Sequence, residues 1–204
     1  MRQNLIKIIN LSLFLFICTL SFAYTKNDID MVLLKYQNSA YFQIKIEQDN
    51  YFEAQKTSLK SYGTLYRENN DFLIVFDKPH HQFIKFSNNT IVMYDSSIKT
   101  AYQISADQFP NFNPLSIFAK NASLKYTLKS KDNPFDIVIP SLSEYIDFLT
   151  IDFDFKRTLI KSISYKDNLN NKVLLKFKQN TFSEKSAIKI PQYSYPAGTK
   201  IVKP

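Results

Sequence analysis

The chain of 204 residues holds one cysteine, two glycines, two histidines and no tryptophan. Each scarcity removes a class of chemistry. Gly63 and Gly198 alone do not build a G-x-G-x-x-G turn or a P-loop, where the backbone approaches phosphate closely because glycine has no Cβ. A single cysteine excludes C-x-x-C redox motifs, a zinc knuckle and an internal disulfide. His80 and His81 are neighbours, and neighbours on a strand point to opposite faces, so they do not converge on one metal ion. No G-x-S-x-G elbow exists to serve a serine nucleophile. The expectation is a protein with no catalytic residue, no metal site and no cofactor.

What is abundant is aromatic and apolar. There are 18 Phe and 13 Tyr, and 45% of the residues are hydrophobic, enough for a packed core. The formal charge of +8 is spread along the chain and reads as a basic surface. A nucleic-acid platform needs exposed aromatics between basic residues. Here Phe83, Phe153 and Phe155 sit in apolar strand faces and read as lining, so no nucleic-acid partner is expected.

The first residues read as a targeting segment. Arg2 and Lys7 give a positive start, residues 8–20 are an apolar run shorter than a membrane span, and Ser21-Phe22-Ala23 supplies small residues at a cleavage site. A lipoprotein signal ending at Cys18 fits less well, because Phe16 and Ile17 occupy positions that need small residues. The expectation is a signal peptide over 1–23, cleaved after Ala23, and one domain over 24–204. Cys18 leaves with the signal, so the exported protein is held by its core alone.

The remainder opens on one helix. Ile29, Val32, Leu33 and Tyr36 fall at i, i+3, i+4 and i+7, and Asn27 is the expected N-cap of a helix over 28–36. Almost everything after it reads as strand: 41–47, 60–67, 72–77, 82–86, 90–94, 100–104, 124–128, 135–139, 146–155, 159–166 and 172–179. Asn69-Asn70-Asp71, Lys78-Pro79 and Asn88-Asn89 are turn material. Leu149, Ile151, Phe153 and Phe155 alternate with Thr150, Asp152 and Asp154, so the two aspartates read as a solvated face rather than a catalytic pair. Asn113-Pro114 starts a short apolar helix through Leu115, Ile117, Phe118, Ala119 and Lys120 that would cover a sheet. Ser141-x-x-Glu144 leaves room for a single turn. The sequons at Asn88 and Asn121 read as turn asparagines. Closely spaced strands without long helices predict a meander curling into a barrel or half-barrel. An exported sheet with one apolar face and short covering helices is a container for something apolar.

At this point the residues resemble a family. Gly63-Thr64-Leu65-Tyr66, Phe72, Lys78-Pro79-His80-His81-Gln82-Phe83-Ile84, Ile91-Val92-Met93-Tyr94-Asp95 and Lys99-Thr100 are similar in order and spacing to LolA, the periplasmic carriers of outer-membrane lipoproteins. Tyr41-Phe42-Gln43, the 113–120 helix, 148–167 and the closing Tyr193-Ser194-Tyr195-Pro196-Ala197-Gly198-Thr199 continue the match. Family tryptophans are replaced by Tyr66, Ile74 and Val92. The resemblance implies a mainly β (α+β) fold: an incomplete antiparallel barrel of about eleven strands with a short-helix lid over an apolar cavity. It implies Leu33, Phe72, Ile74, Val92, Tyr94, Leu115, Ile117 and Phe118 as the cavity and lid. A family arginine that contacts the lid backbone falls on Arg67 in a gapped alignment and on Glu68 in an ungapped one. Arg67 with Ala119 is the latch the resemblance suggests.

Family membership would further imply a periplasmic monomer whose cargo is the acyl chains of lipoproteins. It would take them from an inner-membrane ABC transporter complex and give them to an outer-membrane acceptor or to the outer membrane itself. The alternative is a periplasmic lipid- or lipoprotein-sensing regulatory module on the same fold.

Overall fold

The computed structural model describes residues 24–87, 89–105, 117–118, 125–143, 146–184 and 190–203. The expected signal segment lies outside the described residues. So do Leu115, Ala119 and the rest of the expected 114–120 helix except Ile117 and Phe118, together with Asn88, the 121–123 sequon and Glu144.

The first element, α1 (Lys26–Asn38), begins two residues before the sequence reading placed it. Its N-cap is Thr25, not Asn27. Asp28 N donates to Thr25 Oγ1 at 3.4 Å while Thr25 N donates to the Asp28 carboxylate at 2.7 Å, a reciprocal box that satisfies two otherwise orphaned amides. The same bonds hold the Asp28 carboxyl below its ordinary range. The apolar stripe is as expected: Ile29, Val32, Leu33 and Tyr36 are buried, while Met31 and Leu34 on the far side are exposed.

Twelve strands follow among the described residues: β1 (Tyr41–Phe52), β2 (Thr57–Glu68), β3 (Asp71–Lys78), β4 (Gln82–Ser87), β5 (Thr90–Asp95), β6 (Thr100–Ser105), β7 (Thr127–Leu128), β8 (Phe135–Val138), β9 (Ile146–Asp154), β10 (Leu159–Asp167), β11 (Lys172–Ser183) and β12 (Lys200–Val202). A 3-10 turn, Pro140–Leu142, stands where one turn was expected. The strands form one sheet in the order β12-β6-β5-β4-β3-β2-β1-β11-β10-β9-β8-β7. Every pairing is antiparallel except β12 with β6. β7 and β12 are its two ends, so the barrel is incomplete and mainly β, as expected. β12, a parallel edge strand, was not foreseen.

Register shifts at Lys45/Ile46, Tyr62/Gly63 and Ile160/Ser162 raise the local twist and help the long strands wrap. Gly63 is required at the second of these. A Cβ there would lie 2.0 Å from the Val75 carbonyl oxygen, so only glycine lets β2 and β3 approach.

The inner face of the sheet packs under α1. Phe42, Ile44 and Ile46 of β1, Leu65 of β2, Phe72, Ile74 and Phe76 of β3, and Leu149, Ile151 and Phe153 of β9 join the helix stripe in one cluster. β3 is buried on both faces. Its outer residues Leu73 and Val75 join Phe83, Tyr94 and Ala101 in a second cluster, covered by Ile190, Tyr193 and Tyr195 of the C-terminal segment. That explains the unbroken apolar run Phe72-Leu73-Ile74-Val75-Phe76, which shows no alternation because neither side is wet.

Candidate functional site

The site grows from the register of three strands. Phe42 pairs with Arg67, and Arg67 with Phe72, so one arginine stands on the inner face between two phenylalanines. Its guanidinium carbon lies 5.9 Å from the Phe42 ring centroid and 5.4 Å from that of Phe72. Arg67 is fully buried, whereas its neighbour Glu68 is exposed. Of the two residues the alignments left open, Arg67 is therefore the one that reaches the interior.

The guanidinium is bonded to carbonyls. Nε donates to Asn69 O at 2.6 Å, and Nη1 donates both to Tyr36 O and to Phe118 O, the latter at 2.8 Å. Nη2 has no partner among the described residues. Tyr36 lies within the last turn of α1, where carbonyls have no partner further along the helix. A cation at that end also meets the negative pole of the helix dipole. Burial pushes the guanidinium down to about 10, which leaves it charged at neutral pH.

Around this point α1 and the Ile117–Phe118 pair are tied together and to the sheet. Gln37, buried despite its amide, donates from Nε2 to Ile117 O at 2.9 Å. The Tyr36 hydroxyl donates to Asn180 Oδ1 at 3.2 Å and accepts from Ile160 N at 3.0 Å, and its burial pushes the phenol pKa well up. Near the other end of the helix, the Tyr126 hydroxyl donates to Asp30 at 2.6 Å. The aromatic rings beneath are close: Phe118 stacks on Tyr36 at 5.0 Å and meets Phe42 edge-on at 6.0 Å, while Phe182 meets Tyr36 edge-on at 5.1 Å. None of these ring contacts is a hydrogen bond, so exchanging one for another apolar surface leaves no polar group unpaired.

Of the residues expected to line a cavity, the structure brings Leu33, Phe72, Ile74, Ile117 and Phe118 into the inner cluster. Val92 and Tyr94 do not join them. They lie on the outer face against Tyr193 and Tyr195, and Phe83 with them. The placement is corrected for a simple reason: β5 carries apolar residues on both faces, Ile91 and Met93 on one and Val92 and Tyr94 on the other, so alternation does not choose between them. Leu115 and Ala119 are outside the described residues. The sequence reading missed Gln37, Phe42 and Asn180. A glutamine directly beside the apolar stripe of α1 was the available signal for the first.

The remaining candidates are surface features. His80 and His81 are exposed, with His81 stacked 5.9 Å from Tyr193. Asp152 is bonded to Asn133 and paired with Lys161, and Asp154 with Arg157. Among the described residues no group of three or more His, Cys, Asp or Glu is placed to hold a metal ion.

No family model and no curated protein matches the sequence. The fold has solved relatives. An uncharacterized conserved protein from Thermus thermophilus superposes with a TM-score of 0.53 at 10% identity, over 88% of this chain and 98% of that one. The chain shares that fold. A LolA superfamily protein from Nitrosomonas europaea is similar at a TM-score of 0.47 and 7% identity, covering 81% of this chain and 94% of its own. A protein from Vibrio parahaemolyticus, described as an outer membrane lipoprotein-sorting domain, is similar at 0.44 and 11%, over 79% and 93%.

Proposed function

We propose that this chain is a monomeric, single-domain periplasmic carrier of acylated lipoproteins, exported by its N-terminal segment. In this reading α1 and the segment around Ile117 and Phe118 are a lid, and Arg67 is its latch. The observation that carries the proposal is that one fully buried arginine holds carbonyls of both covering segments over an apolar sheet face.

The physics of the cargo makes such a device useful. An acyl chain leaving a membrane exposes about 0.8 kcal/mol of apolar surface per methylene, on the order of 10 kcal/mol for a whole chain. A carrier must cover that surface and still release it. When empty, Tyr36, Phe42, Phe118 and Phe182 cover one another. Swinging the lid away opens the inner face to acyl chains, which replace one apolar contact by another at small net change. Breaking the Arg67 bonds opposes loading and favours re-closure, so cargo is held less tightly than apolar area alone would give. The chain would receive cargo from an inner-membrane ABC transporter, where the energy enters, and hand it to an acceptor or directly to the outer membrane.

Phe118→Glu tests the reading. A carboxylate in a fully buried ring cluster is expected to abolish capture of a lipoprotein in a pull-down while far-ultraviolet circular dichroism still reports a folded sheet. Normal capture by a folded Phe118→Glu protein would sink the lid assignment. Depletion in the cell should leave lipoproteins at the inner membrane. A change in signalling without such retention would favour the sensor.

A further inference from the structure

A second site lies on the face of the sheet away from α1. The registers β1–β11, β11–β10 and β10–β9 place Asp49, Leu174, Ser164 and Thr150 in one row across four strands. A half-open trough of about 440 Å3 runs along this row, with Tyr51 and Phe148 also in its lining. The short side chains of Ser164 and Thr150 between larger neighbours leave room for a floor, and Leu174 makes part of it apolar. The volume falls within the range of small-molecule sites.

The charges around it are unbalanced. Lys166 and Lys172 sit directly opposite each other across β10 and β11, and both line the trough. Like charges in that position repel. Lys172 reaches over the Tyr51 ring at 5.7 Å, and Lys129 over the Phe148 ring at 5.0 Å. None of the three has a carboxylate within ion-pair distance among the described residues, although Glu53 lies near enough to Lys166 and Lys172 to feel their charge. Of the acids in the lining, Asp49 is already paired with Lys60 and Lys176, which leaves Asp147. Two lining ammonium groups, Lys166 and Lys172, therefore share the trough with one uncommitted carboxylate, Asp147, beside an aromatic and aliphatic floor.

We infer that this trough binds a long-chain fatty acid, with the carboxylate between Lys166 and Lys172 and the acyl chain along Leu174, Tyr51 and Phe148. An anion relieves the lysine repulsion, and the aromatic and aliphatic walls cover a chain. The polar groups of the floor are short and partly committed: the Thr150 hydroxyl already donates to Asp136. A cationic ligand would add to the repulsion. The site is independent of the lid and of the carrier reading.

The test is titration calorimetry of the full exported chain with palmitate kept below its micellar concentration. Wild type is expected to bind one equivalent. Lys166→Ala/Lys172→Ala should weaken binding at least about tenfold, since each hydrogen bond to a charged group contributes that much or more. Lys166→Arg/Lys172→Arg should retain it, and Leu174→Gln should weaken it without touching either lysine. Hexadecanol, with the same chain and no charge, should bind at least about tenfold more weakly than palmitate. A palmitate carrying a diazirine should label peptides containing Tyr51, Phe148 or Leu174. Absence of binding, equal affinity for the alcohol, indifference to the lysine substitutions, or labelling at Leu33 and Phe118 instead would each overturn the proposal.

Discussion

Replacing Arg67 by methionine isolates what the buried cation does. The substitution removes the donor for Tyr36 O and Phe118 O, the two bonds by which Arg67 itself ties the sheet to the covering segments. Bonds from a charged donor contribute about 1.5–3 kcal/mol each, and the lower end applies because burial penalises this cation, as its depressed pKa shows. The loss to the lid is therefore about 3 kcal/mol. Methionine gives back roughly half of it, about 1.5 kcal/mol, because its flexible apolar chain still packs between Phe42 and Phe72. The net of about 1.5 kcal/mol raises the open population about tenfold. Lysine at the same position keeps the charge but not the planar fork, and should fall between the two. Hydrogen exchange read by mass spectrometry separates local from global effects. Amides of α1 are expected to exchange about tenfold faster in Arg67→Met. Amides of the β4–β5 hairpin should change far less. Equal acceleration in both regions would mean that Arg67 supports the whole fold. Unchanged α1 amides would mean that its carbonyl bonds do not hold the lid.

Two further outcomes follow from other parts of the sheet. Gly63→Ala drives a methyl into the Val75 carbonyl, which is backbone and does not swing aside, so urea unfolding should show a loss of roughly 3 kcal/mol, the upper range for overpacking; a loss below about 1 kcal/mol would show that β2 and β3 can part there. Glu47 accepts from Lys176, Lys178 and Lys60 on the outer face, and these bonds hold its carboxyl at about 2, below the ordinary 4.5. A depressed acid stabilises the fold above its ordinary value and loses that contribution as pH falls from about 4.5 towards 2. Wild-type Tm should thus drop through this window more steeply than that of Glu47→Gln, and high salt should shrink the difference; parallel pH profiles would refute it.

Local pattern carried much of this far. The helix stripe of α1 and the period-two alternation of β9 are written in neighbouring residues, and both fold as their spacing demands. Turn chemistry was equally readable: Asn69 and Asn89 both adopt positive φ, as asparagines in tight turns do. The N-cap was displaced because Asn27 and Thr25 are both competent caps, and only the reciprocal bond with Asp28 selects Thr25. β12 escaped notice because three residues pairing with a strand a hundred positions earlier leave no local trace.

Composition and order alone determined that this is a β-rich, aromatic chain without a glycine-rich phosphate turn or a cysteine pair, with a helix to bury at its start. They did not decide which apolar residues share a face. Leu33, Phe72 and Phe118 meet because α1 and the Ile117–Phe118 pair pack over the inner face of the sheet, while Val92 and Tyr94 turn the other way, where the C-terminal segment covers the outside of β3 to β6. Nor did they decide between Arg67 and Glu68. Adjacent strand residues differ by a half turn, and only the register with Phe42 and Phe72 sends the arginine inward, where its charge must find the carbonyls of the two segments above it.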